Sequence, residues 1–400
     1  MEERKMPQLC DDKICTGCLA CVNSCTAGAL TSIANHEGFY RPLIDKEKCV
    51  GCGVCEKNCP ILNPIKKTDF TPKVWAGWNV DEDVRADSSS GGVFSAFALE
   101  VIEKGGVVFG AAYDENLKVF HQKATKPEEL KKLRRNKYVQ SNIGYTLKEI
   151  KVLLLQGITV MFAGTPCQCA ALKAYLKKPY DNLTLIDFIC HGVPSPLFLE
   201  KYKKWLEESY HEKIIDLNFR SKIKGWYDAL RIIKTEKGIQ YKLKGKEDCY
   251  WVAFNNKSNS LQNSCYDCSF LGFPHVSDIT IADFWGIGRK IPFNAKNQIA
   301  NGVSMIISNN EHGKIVINNN PYLEKYERTM EEAIDGNFSG VKSTKRPYSR
   351  DRFYDNLKKL PFNVFANRYL IPSKKTMLVK LWREYFPAYM VSGLRKILQK

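Results

Sequence analysis

The sequence has no uninterrupted apolar stretch near the roughly 20 residues that a membrane-spanning helix needs, so no such helix is expected. Its opening residues, MEERKMPQ, are charged and lack an apolar core, so no secretory leader is visible there. Without a leader, the 15 cysteines point to a reducing compartment, where thiolates bind metal instead of pairing as disulfides. The expected location is the cytoplasm. A recognisable nucleic-acid motif is also missing, so the net charge of +17 is not taken as a sign of nucleic-acid binding.

What is abundant is cysteine near the start. Cys15, Cys18, Cys21 and Cys25 form one run, and Cys49, Cys52, Cys55 and Cys59 form a second, followed by Pro60. Each cysteine of the second run falls 34 residues after its counterpart. This is the spacing of two-cluster bacterial ferredoxins, in which three close thiolates hold one cubane and the fourth cysteine crosses to the other. On that pattern Cys15, Cys18, Cys21 and Cys59 bind one 4Fe–4S cluster, and Cys49, Cys52, Cys55 and Cys25 bind the other. Zinc sites instead use CxxC pairs set well apart. Thr26 stands where proline usually follows the fourth cysteine, which leaves the ligand set unchanged. Cys10 falls outside the repeat and reads as a buried or free thiol, not a ligand.

Residues 66–73 are polar and read as a linker. VWAGWNV then reads as a strand, 81–90 as a loop, VFSAFALEVIEK as a helix and VVFGAAYD as a strand. The turn Ser88–Gly92 leads into that helix, and free N–H groups at a helix start suit a phosphate; a plain capped helix is the alternative. Residues 125–133 and 145–156 read as helices, with a short strand or loop over 137–141. GITVMFAG, then CAALKAYLKK, then LTLIDFIC read as a βαβ unit with parallel strands. Chemistry in such sheets gathers at the carboxyl ends of strands, where Cys167 and Cys190 fall. IIDLNFRS, LRIIKTEKG, GIQYKLKG and YWVAFNN read as further strands, as does SDITIADFWG after the pair Cys265 and Cys268. That CxxC is open between a redox pair, half a metal site and coincidence. With Cys167, expected at a helix start with a lowered pKa, and Cys190, it can complete a third four-thiolate site.

SSSGGVFSA, RNKYVQS, FAGTPCQ, DFICHGVPSP, CYDC and ITIADFWG occur in the order seen in the family of coenzyme F(420) hydrogenase/dehydrogenase beta subunits, which the chain resembles over roughly residues 74–310. The resemblance implies an iron–sulfur flavoprotein that binds FAD. Ser90, Gly91 and Gly92 would meet the flavin nucleotide's phosphates. Lys137 and Tyr138 would belong to the flavin pocket, and Thr165 and Pro166 would shape its loop. Cys167, Cys190, Cys265 and Cys268 would ligate a third cubane. His191 is a candidate proton relay, and Asp283 a candidate for orienting a ligand, against a structural hydrogen bond and a turn cap respectively. The stretch Arg220 to Tyr227 is a candidate substrate mouth.

The expected fold class is α+β multidomain. A two-cluster ferredoxin-like domain covers 1–65, and a mixed α/β flavin- and iron–sulfur-binding body covers 74–155 and 156–320. A basic, aromatic extension follows over 321–400. The expected function is an oxidoreductase passing electrons between 4Fe–4S clusters and FAD. Its substrate would be a deazaflavin-type coenzyme or an unidentified small molecule, in bacterial surface-polysaccharide metabolism among other settings. The expected partner is a redox protein or soluble electron carrier. The alternatives are a cluster-bearing nucleic-acid binding protein and a non-catalytic electron-transfer subunit. Residues 340–400 hold 15 basic and 3 acidic side chains, along with Phe353, Tyr354, Phe362, Phe365, Tyr369, Trp382, Tyr385, Phe386 and Tyr389. Such a segment either rests on the inner face of the membrane, docks on an acidic partner, or packs its aromatics on the body.

Overall fold

The computed structural model describes residues 6–245 and 247–371. Strands β1 (Leu30–Ala34) and β2 (Tyr40–Ile44) pair antiparallel. With the short helices Ala20–Ser24 and Val54–Lys57 they make the ferredoxin-like unit. The body is built on one eight-stranded sheet. Its strands are β3 (Lys73–Asn79), β4 (Val107–Tyr113), β5 (Val119–Ala124), β6 (Val160–Ala163), β7 (Leu183–Phe188), β11 (Ile279–Asp283), β12 (Ser304–Ser308) and β13 (Leu323–Arg328). A separate three-stranded sheet holds β8 (Ile214–Ser221), β9 (Leu230–Thr235) and β10 (Gln240–Leu243).

The large sheet runs β13-β3-β12-β11-β7-β6-β4-β5. Its centre, β4, β6, β7 and β11, is parallel, and the flanking pairs are antiparallel. This explains the apolar runs VMFA and LTLIDF, because central strands are covered on both faces. Helix Val93–Glu103 packs Val93, Ala96 and Phe97 against Val108, Met161 and Ile306. Helices Thr146–Leu155 and Pro166–Leu176 share a core with Phe109, Phe162 and Leu185. Leu19, Ala20 and Val22 of the ferredoxin unit belong to that same core, so the unit is packed on the body over an apolar surface. Strands from both sides of residue 155 interleave in the one sheet.

Two local expectations give way. YWVAFNN is not a strand but the helices Cys249–Trp251 and Val252–Asn256. The Asp248 carboxylate caps the first by accepting from Tyr250 N, and Tyr250, Ala253 and Phe254 are all buried, so its apolar run fits a helix buried on more than one side. The expected loop over 81–90 contains helix Glu82–Ala86, capped by Asp81.

Tyr348 of the basic segment is fully exposed, but the aromatics of its two described helices pack inward. Phe353, Tyr354 and Phe365 are buried in one cluster with Phe198, Tyr202 and Tyr250. Arg350 is fully buried and forms a two-pronged ion pair with Glu37 of the ferredoxin unit, Nη2 to Oε2 at 2.6 Å. Helix Arg350–Lys359 thus ties the start of the chain to its later part. Trp382, Tyr385, Phe386 and Tyr389, with the rest of residues 372–400, lie outside the described residues. Among the described residues no helix is long and apolar enough to cross a membrane.

Candidate functional site

Three cavities lie in series. The first, of about 400 Å³, is lined by Cys15, Cys18, Cys21 and Cys59, the four expected ligands of one cluster. Backbone N–H groups already address these sulfurs: Gly17 N reaches Cys15 Sγ at 3.4 Å, and the amides of Ile61 and Leu62 address Cys59. Such N–H···S bonds are how a protein cradles a cubane. Cys10, outside the repeat, lines the same cavity. Its thiol hydrogen-bonds to Cys15 and Cys59, drawing their pKa down to about 7 and about 6. One S–H can serve only one of them at a time.

Of the four expected ligands of the other cluster, Cys49 and Cys55 are buried, Cys25 half-buried and Cys52 exposed. Ala29 N donates to Cys25 Sγ at 3.3 Å. Val50, beside Cys49, is more than half exposed, so this loop faces the surface.

The second cavity, of about 800 Å³, is lined by Cys167, Cys190, Cys265 and Cys268. Cysteines from three separate segments therefore line one space. Val193 N–H addresses Cys265 and Phe270 N–H addresses Cys268, the same cradle chemistry as in the first cavity. No three His, Cys, Asp or Glu side chains among the described residues converge as for a single ion; here the thiols ring a space instead. Thr16 and Gly17 of the ferredoxin unit, held by Gln140 and Gln262, line this cavity too, and Thr16 also lines the first.

Cys167 corrects one expectation. It does follow Thr165 at the start of helix Pro166–Leu176, where Thr165 and Gln168 form a capping box. Burial nonetheless pushes its thiol up to about 12, against the help of the Thr165 hydroxyl 3.0 Å away. Desolvation outweighs the helix end, and it raises Cys265 and Cys190 as well. A bound metal would favour the thiolate form of these groups.

The third cavity is large, about 2540 Å³ including its open mouth. It lies at the carboxyl ends of β6, β7 and β11, as the sheet rule expects. Cys190, His191, Thr165 and Gln168 belong to its wall and to that of the second cavity. Ser88, Ser89, Ser90, Gly92, Val93 and Phe94 line one part. No side chain caps helix Val93–Glu103, whose first residues Val93 and Phe94 line the cavity.

Not every expected residue faces this space in the same way. Gly91 is wedged against Gly77 and donates its N–H to Ser304 Oγ at 3.0 Å. Pro166 lines the second cavity instead of the third. Lys137 and Tyr138 line the third, but Lys137 Nζ donates to the carbonyls of Lys132, Arg134 and Arg135. The His191 ring nitrogens are both engaged by hydroxyls, Nε2 with Ser258 at 3.1 Å and Nδ1 with Thr344 at 3.2 Å. Asp283 accepts from Trp226 Nε1 at 2.7 Å and pairs with Arg220 at 3.4 Å, so it orients that arginine.

Besides Arg220, which the candidate substrate mouth already included, several lining residues carried no sequence signal. His121 is buried with Nδ1 2.9 Å from Ser141 Oγ and Nε2 3.2 Å from the Ala163 carbonyl oxygen. A carbonyl only accepts, so Nε2 carries the hydrogen. Burial lowers the His121 pKa to about 4, keeping the ring neutral. Arg220 and Arg231 are buried beside Trp285 and Trp251, at 4.9 and 3.9 Å from their ring centres. Nε of both, and Nη2 of Arg220, have no hydrogen-bond partner among the described residues.

Models of known families match most of the chain. The 4Fe–4S dicluster domain matches residues 14–62. The N-terminal part of the coenzyme F(420) hydrogenase/dehydrogenase beta subunit matches residues 74–148, and its C-terminal part matches residues 158–330. The chain belongs to the family of coenzyme F(420) hydrogenase/dehydrogenase beta subunits. In this family member the dicluster domain precedes the body.

An F(420)H(2) dehydrogenase component of Methanosarcina mazei is 22% identical over 191 residues, 46% of this chain and 54% of that protein. An archaeal-type glutamate synthase (NADPH) of Thermotoga sp. is 34% identical over 100 residues, 23% of this chain and 19% of its own. A protein named ferredoxin 7Fe from Hydrogenibacillus schlegelii is 34% identical over 59 residues, 15% of this chain and 68% of its own. The chain thus spans about half, or less, of the first two relatives. A chain from the xenon-derivatised F(420)-reducing NiFe hydrogenase complex of Methanosarcina barkeri aligns at 16% identity and a TM-score of 0.45, covering 71% of this chain and all of that one.

Proposed function

We propose that the chain is an iron–sulfur flavoprotein oxidoreductase, with FAD in the large cavity and a third 4Fe–4S cluster on Cys167, Cys190, Cys265 and Cys268. The observation that carries this reading is the series of three cavities with shared walls, Thr16 between the first two and Cys190 and His191 between the last two. Flavin supplies the conversion between one-electron and two-electron chemistry that such a series calls for.

The chain's own residues would do the following. The uncapped start of helix Val93–Glu103 and the Ser88–Ser90 turn would bind the nucleotide's phosphates. Lys222 holds that turn in place, donating from Nζ to the Arg85 carbonyl at 2.6 Å, the Asn301 carbonyl at 2.7 Å and the Ser90 carbonyl. The neutral His121 ring, Thr165 and Gln168 would pack against the planar part of the cofactor. The substrate, a deazaflavin-type coenzyme or a small molecule of surface-polysaccharide metabolism, would enter past Tyr227, Arg220 and Arg231. The exposed loop around Val50 and Cys52 would meet a redox partner protein.

Anaerobic purification with quantitation of iron, sulfide and flavin tests the reading. About twelve irons and one FAD per chain are expected, and Cys265→Ala with Cys268→Ala should leave about eight. Eight irons in the unmodified chain would remove the third cluster. Full iron without flavin would instead make the chain a non-catalytic electron-transfer protein.

A further inference from the structure

Cubane clusters take one thiolate on each of four irons, yet five cysteines line the first cavity: Cys10, Cys15, Cys18, Cys21 and Cys59. The fifth is not placed there by a loose end of chain. Leu9 packs into the core that holds Cys18 and Ala20, and Gln8 N donates to the Glu56 carboxylate on the second run's helix. Cys10 is therefore pinned on both sides of the cavity wall. Its sulfur lies in hydrogen-bonding range of two of the four ligand sulfurs, Cys15 and Cys59. Two thiols that close compete for the same iron.

We propose that Cys10 is a reserve ligand of the first cluster, able to take over the iron held by Cys59. In the exchange the Fe–S bond to Cys59 breaks and an Fe–S bond to Cys10 forms. The proton leaves the Cys10 thiol for the departing Cys59 thiolate, and no electron is gained or lost. Cys59 is the ligand supplied by the other run, so it is the one lost when the two halves of the ferredoxin unit separate. Cys10 lets the cluster keep four ligands through such an opening. The proposal rests on the assignment of Cys15, Cys18, Cys21 and Cys59 to this cluster.

The test uses the full chain reconstituted with iron and sulfide under argon, as Cys10→Ala, Cys18→Ala, Cys59→Ala and the Cys10→Ala/Cys59→Ala pair. Iron per chain and the electron paramagnetic resonance of oxidised protein are read. Cys10→Ala and Cys59→Ala should each keep the wild-type iron content. The double variant should lose iron and show a three-iron cluster signal, as should Cys18→Ala, whose partner Cys10 does not reach. A Cys59→Ala protein that loses as much iron as the double variant overturns the proposal. Undiminished iron in Cys18→Ala overturns it too, through the ligand assignment. Alkylation of the native protein with iodoacetamide gives a second reading that needs no double variant. Cys10 should react in the wild type and at least tenfold more slowly in Cys59→Ala, and an equal rate in the two rejects the exchange.

Discussion

Gly17 marks the junction where the ferredoxin unit reaches the second cavity, and replacing it should cost more than its backbone angle explains. Its φ is +65°, and a Cβ there would collide with Gln140 Nε2 and the Tyr40 carbonyl oxygen and lie 3.2 Å from Arg41 Nη1. Gly28, in the same unit, also has φ +65° but nothing within 4 Å of a built Cβ. Gly28→Ala therefore meets only the left-handed backbone penalty, about 1–2 kcal/mol. Gly17→Ala adds the disruption of Gln140, which accepts from Tyr40 N at 2.8 Å and donates to the Thr16 carbonyl at 3.4 Å. At about 1 kcal/mol net per bond, Gly17→Ala should cost about 2 kcal/mol more than Gly28→Ala. The assay is guanidinium titration of the iron–sulfur absorbance under argon, with iron content checked beforehand. Equal midpoints and slopes for the two variants would refute the packing argument. A loss about 2 kcal/mol larger in Gly17→Ala supports it, and reduction of the proposed flavin by reduced viologen dye should then slow in that variant alone.

Arg350→Met removes one partner of a buried ion pair, leaving Glu37 uncompensated. A loss of about 3–5 kcal/mol is expected, seen as unfolding at lower denaturant and faster proteolysis within residues 340–371; unchanged cleavage would show that this helix does not secure the ferredoxin unit. His121 makes stability depend on pH. With its folded pKa lowered from 6.5 to about 4, the unfolded chain takes up the proton first. The contribution is full above pH 6.5 and falls away as pH drops through 6.5 toward 4, about 3 kcal/mol in all. His121→Gln should flatten that limb of the denaturation profile while leaving other limbs in place. Arg220→Gln should lower substrate affinity with FAD content unchanged; a fall in bound FAD would assign this arginine to the cofactor instead.

The two cysteine runs were legible because a cluster fixes ligand spacing within one short loop. The strands β3, β4, β6, β7 and β11 were legible too, since apolar runs between turns mark buried strands. YWVAFNN was misread because a short, fully apolar run lacks a period that separates strand from buried helix. The Asp248 cap was the local clue. Cys10 and His121 were invisible for a different reason. Each acquires its setting from partners far along the chain, His121 from Ser141 and Ala163, and Cys10 from Cys59. Cys167 shows the limit of local electrostatics, since helix position argued one way and burial, absent from any motif, decided the other.

The interleaved sheet sets a clock on the protein's making. Strand β3 is flanked only by β12 and β13, which leave the ribosome more than 220 residues later. All nine cysteines of the ferredoxin unit are synthesised by residue 59. At about 5–20 residues per second, roughly 10–50 s separate the last of these thiols from the first strand that can cover β3. Early in that interval, until helices Thr146–Leu155 and Pro166–Leu176 have emerged, the nascent chain presents a complete set of iron ligands with no core to dock on. Maturation factors for the two ends of the molecule would thus work at different times, on an exposed peptide first and on a nearly closed fold second.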